Sequence, residues 1–221
     1  MAKKHQDSAR QKTKQNPYLL WGILSLIILI VVVTLILTWP TQERVDYSVY
    51  NRFEFQQTTG GWQTIVERDG IPFEIPFYYH PLEIENVHIQ DTVIPLMRDV
   101  IQTQSPPRQF ILTVHPDAGS LPVLAGVNIA RVTGDFYERA TRSALFLTPQ
   151  EAQEREGEFS NPIISCEDAN FQNVVIHIRG NATANSVQFV DDFCIEVAGV
   201  DREGLLMTAD LMAYRLLGIM R

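Results

Sequence analysis

Two cysteines, a histidine-bearing loop, a glycosylation sequon and two acidic pairs are the parts of this 221-residue chain that could do chemistry. Cys166 and Cys194 are its only cysteines and stand 28 positions apart. Without a Cys-x-x-Cys pair or further ligands they suit neither thiol exchange nor a structural zinc site. On an oxidising side of a membrane they are expected to form a disulfide. His115, Asp117 and Ser120 share the segment VHPDAGS after an apolar run, and polar site residues collect at such strand ends in α/β proteins. A hydrolase would use Ser120 as nucleophile, His115 as base and Asp117 as orienting acid. Ser120, however, lacks a G-x-S-x-G setting, and Pro, Asp, Gly and Ser are also the ordinary residues of a turn.

Gly119, Gly126 and Gly134 make no phosphate loop or dinucleotide fingerprint, so no cofactor is expected. Glu167 with Asp168, and Asp191 with Asp192, are the acidic pairs that could reach a metal ion. No H-E-x-x-H motif supports a catalytic metal, and adjacent acids ordinarily face water. Asn181 heads N-A-T, an acceptor for N-linked glycan if it lies on a surface loop outside the cell.

The element that must place these residues is the apolar stretch 18–39, YLLWGILSLIILIVVVTLILTW, which has no charged side chain and is bounded by Pro17 and Pro40. As a helix it would run roughly 33 Å, enough to span a hydrocarbon core. Lys3, Lys4, Arg10, Lys12 and Lys14 precede it with Asp7 as the one acid, so the tail, residues 1–16, is expected in the cytoplasm and the remainder outside. The stretch is too long for a signal-peptide core and ends in Thr38, Trp39 and Pro40 rather than small residues, which argues for an uncleaved anchor.

Residues 41–221 contain 13 arginines, no lysine and 25 acids, a formal charge of −12. That balance repels nucleic acid and anionic lipid and favours cations or a basic partner. Residues 41–91 are rich in aromatic and β-branched types and read as a membrane-proximal β-rich region. Gly60, Gly61, Asp69 and Gly70 mark its turns, and Pro72 and Pro76 place their strand at an edge or outside a regular ladder. Leu82 and Ile84, with Val87 and Ile89 after a shift of phase, suggest another short strand. Phe73, Phe77, Tyr78 and Tyr79 read as core between a sheet and its neighbour rather than as a ligand wall.

Residues 92–221 alternate helical and strand patterns. A helix is expected over 92–101, a strand at 110–114 and a helix from Leu121 to about Tyr137 capped by Ser120. Further strands are expected at 144–147, 174–178 and 193–198. Thr148 to Glu151 is a capping box. The last helix carries Leu205, Leu206, Ala209, Met212, Ala213, Leu216 and Leu217 on one face, with Asp210 and Arg215 at its solvent edge. The fold class is therefore α/β: a transmembrane helix, 17–40 with its boundaries, followed by an extracytoplasmic mixed sheet with packed helices and the β-rich portion.

The segments NPIISCEDAN and FCIEVAGVDREGLLMTADLMAYRLLGIM resemble the C-terminal portions of uncharacterised membrane-anchored archaeal proteins, and those around FYYHP and ILTVHPD are loosely similar to the same group. The resemblance implies an anchored surface domain and brings no catalytic residue with it. The expected function is noncatalytic: a single-pass protein held in the cell membrane through lipid contact at 18–39, organising the envelope or binding an envelope protein. A membrane-tethered hydrolase, and a solute-binding or sensor module, are the alternatives. Converging His, acid and nucleophile would favour the first of these, a deep aromatic pocket the second, and an exposed apolar patch or open sheet edge the interaction domain.

Overall fold

The computed structural model describes residues 21, 26–34, 47–106 and 108–221. The chain forms two compact units, Met1–Arg44 and Val45–Arg221. In the first, residues 26–34 are helical and exposed, and Thr34 Oγ1 donates back to the carbonyls of Ile30 and Val31 at 2.8 and 2.9 Å. No helix among the described residues is long and apolar enough to cross a membrane. The expected cytoplasmic tail, and the expected span apart from residues 21 and 26–34, lie outside the described residues.

The second unit is a mixed α/β structure with two sheets. The first sheet is an antiparallel meander of β1 (Tyr47–Tyr50), β2 (Phe53–Thr58), β3 (Gly61–Arg68) and β4 (Ile71–Phe77), in chain order. Two of its three turns fall where the sequence marks them, and at one of these Asp69 and Gly70 both take positive φ, 54° and 78°, as a two-residue hairpin requires; the turn at Asn51 and Arg52 was not expected. Pro72 and Pro76 lie opposite Glu67 and Gln63 on β4, an edge strand, where a missing donor costs least. Phe55, Thr64, Val66, Ile75 and Phe77 are buried, while Ile65 on the opposite face is exposed. Leu82 and Ile84 do not form the expected strand. Pro81–Glu83 is a 3-10 turn capped by His80, whose Nδ1 accepts from the Leu82 amide at 3.3 Å.

The second sheet has six strands in the order β5-β9-β10-β8-β6-β7: β5 (His88–Ile89), β6 (Gln109–Val114), β7 (Thr141–Leu145), β8 (Asn173–Arg179), β9 (Ser186–Asp191) and β10 (Cys194–Ala198). β7, β6, β8 and β10 run parallel, whereas β9 is antiparallel to β10 and parallel to β5. The helices are α1 (Val93–Gln102), α2 (Ser120–Ala130), α3 (Pro149–Glu154) and α4 (Arg202–Leu217). A π-helical turn, Arg131–Phe136, continues α2, so the helix expected to about Tyr137 ends in a widened turn. Gly126 lets α2 lie close on the sheet, because a Cβ there would stand 3.1 Å from Ile178 Cδ1.

One core joins both sheets. The inner residues Phe110, Leu112, Val174, Ile176, Ile178, Ile195 and Val197 belong to the same buried cluster as the meander's Phe55, Val66, Ile75 and Phe77, with α4 contributing to it. Tyr214 of α4 stacks on Phe77 at 4.0 Å and meets Phe55 edge-on at 5.9 Å. The expected solvent edge of α4 is therefore corrected at Asp210, which is wholly buried along with Thr208, Leu211 and Tyr214. A helix packed by the meander as well as by the mixed sheet has little face left for water.

Asp210 fastens the layers to one another. Its Oδ2 accepts from the backbone amides of Tyr78 and Tyr79 at 2.8 and 2.9 Å, and its Oδ1 accepts from Asn128 Nδ2 at 2.7 Å. The meander's exit, α2 and α4 thus meet on one carboxyl. Burial pushes its pKa up to about 7, against the opposing pull of these donors. The outer face of the mixed sheet carries a smaller cluster of Ile111, Ala144, Val175 and Cys194. Cys194 is disulfide-bonded there to Cys166, with Cα atoms 5.3 Å apart, so the bridge pins the irregular segment before β8 to the sheet.

Candidate functional site

His115 follows β6 at the end of the parallel strands where α/β proteins commonly gather polar groups. Its Nδ1 accepts from the Asp117 amide at 3.2 Å, and its Nε2 stands 3.4 Å from Glu151 Oε1. Glu151 is placed by the capping box of α3: its Oε2 accepts from Thr148 N and Oγ1 at 2.9 and 2.7 Å, and these donors hold its carboxyl below the usual range. Arg155 then joins the group, donating from Nη1 to Asp117 Oδ2 at 2.8 Å and from Nε to Glu158 Oε2 at 2.6 Å. The two carboxylates raise the guanidinium pKa and Arg155 lowers that of Glu158.

The loop thus brings His115 to Asp117 but does not bring Ser120 to either. The helix cap is Gly119, at φ 75°, and Ser120 is the first helical residue, so the expected Ser120 cap is replaced by a glycine that can take a left-handed turn. The Ser120 side chain makes no hydrogen bond among the described residues. Both ring nitrogens of His115 already face other groups, so none is directed at a hydroxyl nucleophile. The arrangement is an exposed network of charge pairs that ties the loop after β6 to α3.

A second set of polar side chains lies across the outer face of the same sheet. Thr113 on β6 is in register with His177 on β8, His177 with Glu196 on β10, and Glu196 with Gln188 on β9. Side chains at paired positions share a face, so one row crosses four strands. His177 is 6% exposed and stacks on Phe146 at 3.7 Å. Its Nδ1 and the Thr113 hydroxyl are buried without hydrogen-bond partners. Burial pushes the His177 pKa down to about 4, leaving a neutral ring at pH 7. Glu196, also largely buried, takes both arms of Arg179, at 2.8 Å from Nε and 3.2 Å from Nη2.

Sequence reasoning gave His177 no role. The signal was a polar residue at an outward position of the otherwise aliphatic NVVIHIR, matched by Glu196 in CIEVA. The chemistry open to the row is hydrogen bonding in a confined space, because the Phe146 ring lies across the imidazole.

Other candidate residues stand apart. Asp168 caps its own 3-10 turn, accepting from the Ser165 amide at 2.8 Å, and Asp191 accepts from the Asp192 amide at 2.8 Å. Among the described residues no group of three His, Cys, Asp or Glu side chains is placed to hold a metal ion. Asn181 is exposed at φ 56° in the loop between β8 and β9, with Thr183 of its sequon also exposed. Phe73 and Phe77 pack on Phe136 and Tyr214 rather than lining a cavity.

Among the described residues an apolar groove of about 350 Å³ is bounded by Leu112 and Val114 of β6, by Val123, Val127 and Ala130 at α2, and by β7. Val123 and Val127 are 50% and 47% exposed and Leu124 is 36% exposed. Hollows of about 330 Å³ beside Arg179 and Glu196 and about 530 Å³ over the outward face of the meander are lined largely by polar side chains. No family model, curated protein or solved structure matches the chain.

Proposed function

We propose that this is a single-pass membrane protein whose extracytoplasmic domain serves protein interaction in the cell envelope. The observation that carries the reading is the aliphatic strip of Val123, Leu124 and Val127 left in water beside a groove, in a chain that buries α4 almost completely. Strips of this kind mark contact surfaces. The basic tail, the uncharged stretch 18–39 and the lysine-free acidic remainder support an anchor with the domain outside. The Cys166–Cys194 disulfide fits an oxidising compartment.

The hydrolase alternative has less support, because Ser120 is unattached to His115 and Asp117. A photo-crosslinking side chain installed at Val127 in cells should give a discrete adduct, whereas one at Asp69, on a meander turn, should not. Protease added outside intact cells should remove the domain and spare a tag placed before Lys3. No adduct from Val127, together with ester or amide turnover lost on His115→Ala, would replace the interaction reading with the enzyme.

A further inference from the structure

Strand β7 is an edge whose pairing stops for a covalent reason. In its ladder with β6, Phe110 N donates to Ala140 O and Phe146 N donates to Val114 O. Residues 140, 142, 144 and 146 therefore turn their peptide groups toward β6, and Thr141, Ser143 and Leu145 turn theirs away. Leu145 has found a neighbour: its N–H donates to Pro162 O at 2.9 Å, and Ile164 N donates to its carbonyl at 2.9 Å. Continuing that pairing to Ser143 would need a donor at residue 162, and proline has none. The outward peptide groups of Thr141 and Ser143 consequently have no backbone partner among the described residues.

This open edge borders the apolar groove. An added strand beside β7 would continue the inner face of the sheet, so alternate side chains would fall beside Val123 and Val127 of α2. Charge narrows the occupant. Arg139 and Arg142 flank Thr141 where β7 begins, and neither forms an ion pair among the described residues, although the outer chain carries a formal −12. Arg142 is exposed, and Arg139 Nε is buried without a partner. A second copy pairing by the same edge would set these arginines against their own equivalents.

We infer that β7 receives an extended segment of a partner protein as a seventh strand, one with alternating small apolar side chains and carboxylates at its flank. This rests on the interaction reading above and names the mode of contact. Backbone hydrogen bonds from Thr141 and Ser143 hold the segment, the groove selects its apolar positions, and the arginines set its charge.

The test uses the full chain in nanodiscs of zwitterionic lipid. The probe is a fluorescent nonapeptide of alternating valine and threonine flanked by glutamates. It should bind saturably, slow amide exchange at Thr141 and Ser143, and weaken as salt is raised. A lysine-flanked peptide, and Arg142→Glu protein with the original peptide, should each bind about tenfold more weakly. Ser143→Pro removes only an outward donor and should abolish binding while the far-ultraviolet spectrum is unchanged.

Equal binding of both peptides, or of wild type and Arg142→Glu, would overturn the charge assignment, and full binding by Ser143→Pro would overturn strand addition. Dimerisation of the chain lost on Ser143→Pro would overturn the partner in favour of a second copy. Absence of peptide binding with a persisting adduct from Val127 in cells would sink strand addition while leaving the interaction reading in place. Loss of that adduct would instead remove the reading beneath it.

Discussion

The two faces of the six-stranded sheet solve the problem of burial by different means. The inner face is aliphatic from β6 to β10 and is covered by helices belonging to the common core. The outer face grades from Ile111, Val175 and Cys194 to the row of Thr113, His177 and Glu196, and then to His115 and Arg179. Apolar packing is tolerant of detail but needs thickness, which the helix layer and the meander supply. The outer face lacks that thickness and is held by a covalent bridge, stacked rings and paired charges. Its specificity therefore lies in single bonds rather than in summed area.

The largest effect should come from the inner face. Ile176→Ala and Leu216→Ala each remove a buried aliphatic side chain and should cost about 2 to 5 kcal/mol in chemical denaturation. An unchanged midpoint for Leu216→Ala would return α4 to the surface. The outer face should respond to chemistry instead. Replacing Cys166 and Cys194 by serine should cost about 3 to 4 kcal/mol, the loop-entropy expectation for a bridge of this span, and peptide mapping without reductant should recover the two cysteines linked in wild-type protein.

The next effect distinguishes the faces by sign. His177, with a pKa lowered to about 4, binds its proton more weakly folded than unfolded. Its contribution is complete above about pH 6.5 and is lost as pH falls toward 4. Asp210, raised to about 7, behaves oppositely: its ionisation in the unfolded chain costs the fold stability as pH rises from about 4 to 7. Each group gives a slope of about 1.4 kcal/mol per pH unit inside its window, and the two largely cancel. Unfolding measured from pH 4 to 7 should thus be shallow in wild type, rising with pH in Asp210→Asn and falling with pH in His177→Gln. Parallel profiles for the two variants would refute the opposition.

The smallest effect belongs to the periphery of the outer face. Thr148→Ala removes the side-chain cap of α3 and should cost about 1 kcal/mol or less. It should also remove the hydroxyl donor to Glu151, leaving the amide of residue 148 to hold that carboxylate beside His115, a change the histidine's proton resonances would report.

What was legible in the sequence follows the same division. The edge placement of Pro72 and Pro76, the turn at Asp69–Gly70 and the runs that became β6, β8 and β10 rest on local chemistry or period. So does the pairing of the two cysteines. The burial of Asp210 was not legible, because a face at helical spacing reveals one packed side and nothing of a second sheet arriving from residues 53–77. Strand β9 was missed for a related reason: SVQFVD sits beside polar loops and acquires its partner only when β10 folds back on it. At the candidate site, the loop chemistry of His115 and Asp117 was visible, but the row through His177 needs four strands in register. Ser120 lost its expected cap because Gly119 adopts the turn conformation one residue earlier.

The position of α4 in the chain imposes an order on maturation. This helix follows the ten strands of the described residues, yet its side chains complete the core that unites both sheets. A chain emerging from a ribosome or a translocation pore can form its hairpins early, but its interior stays wet until residues 202–217 have arrived. Synthesis through residue 217 thereby becomes a condition of closure, and a product terminated before α4 would present two uncovered sheets to the machinery that removes unfinished proteins.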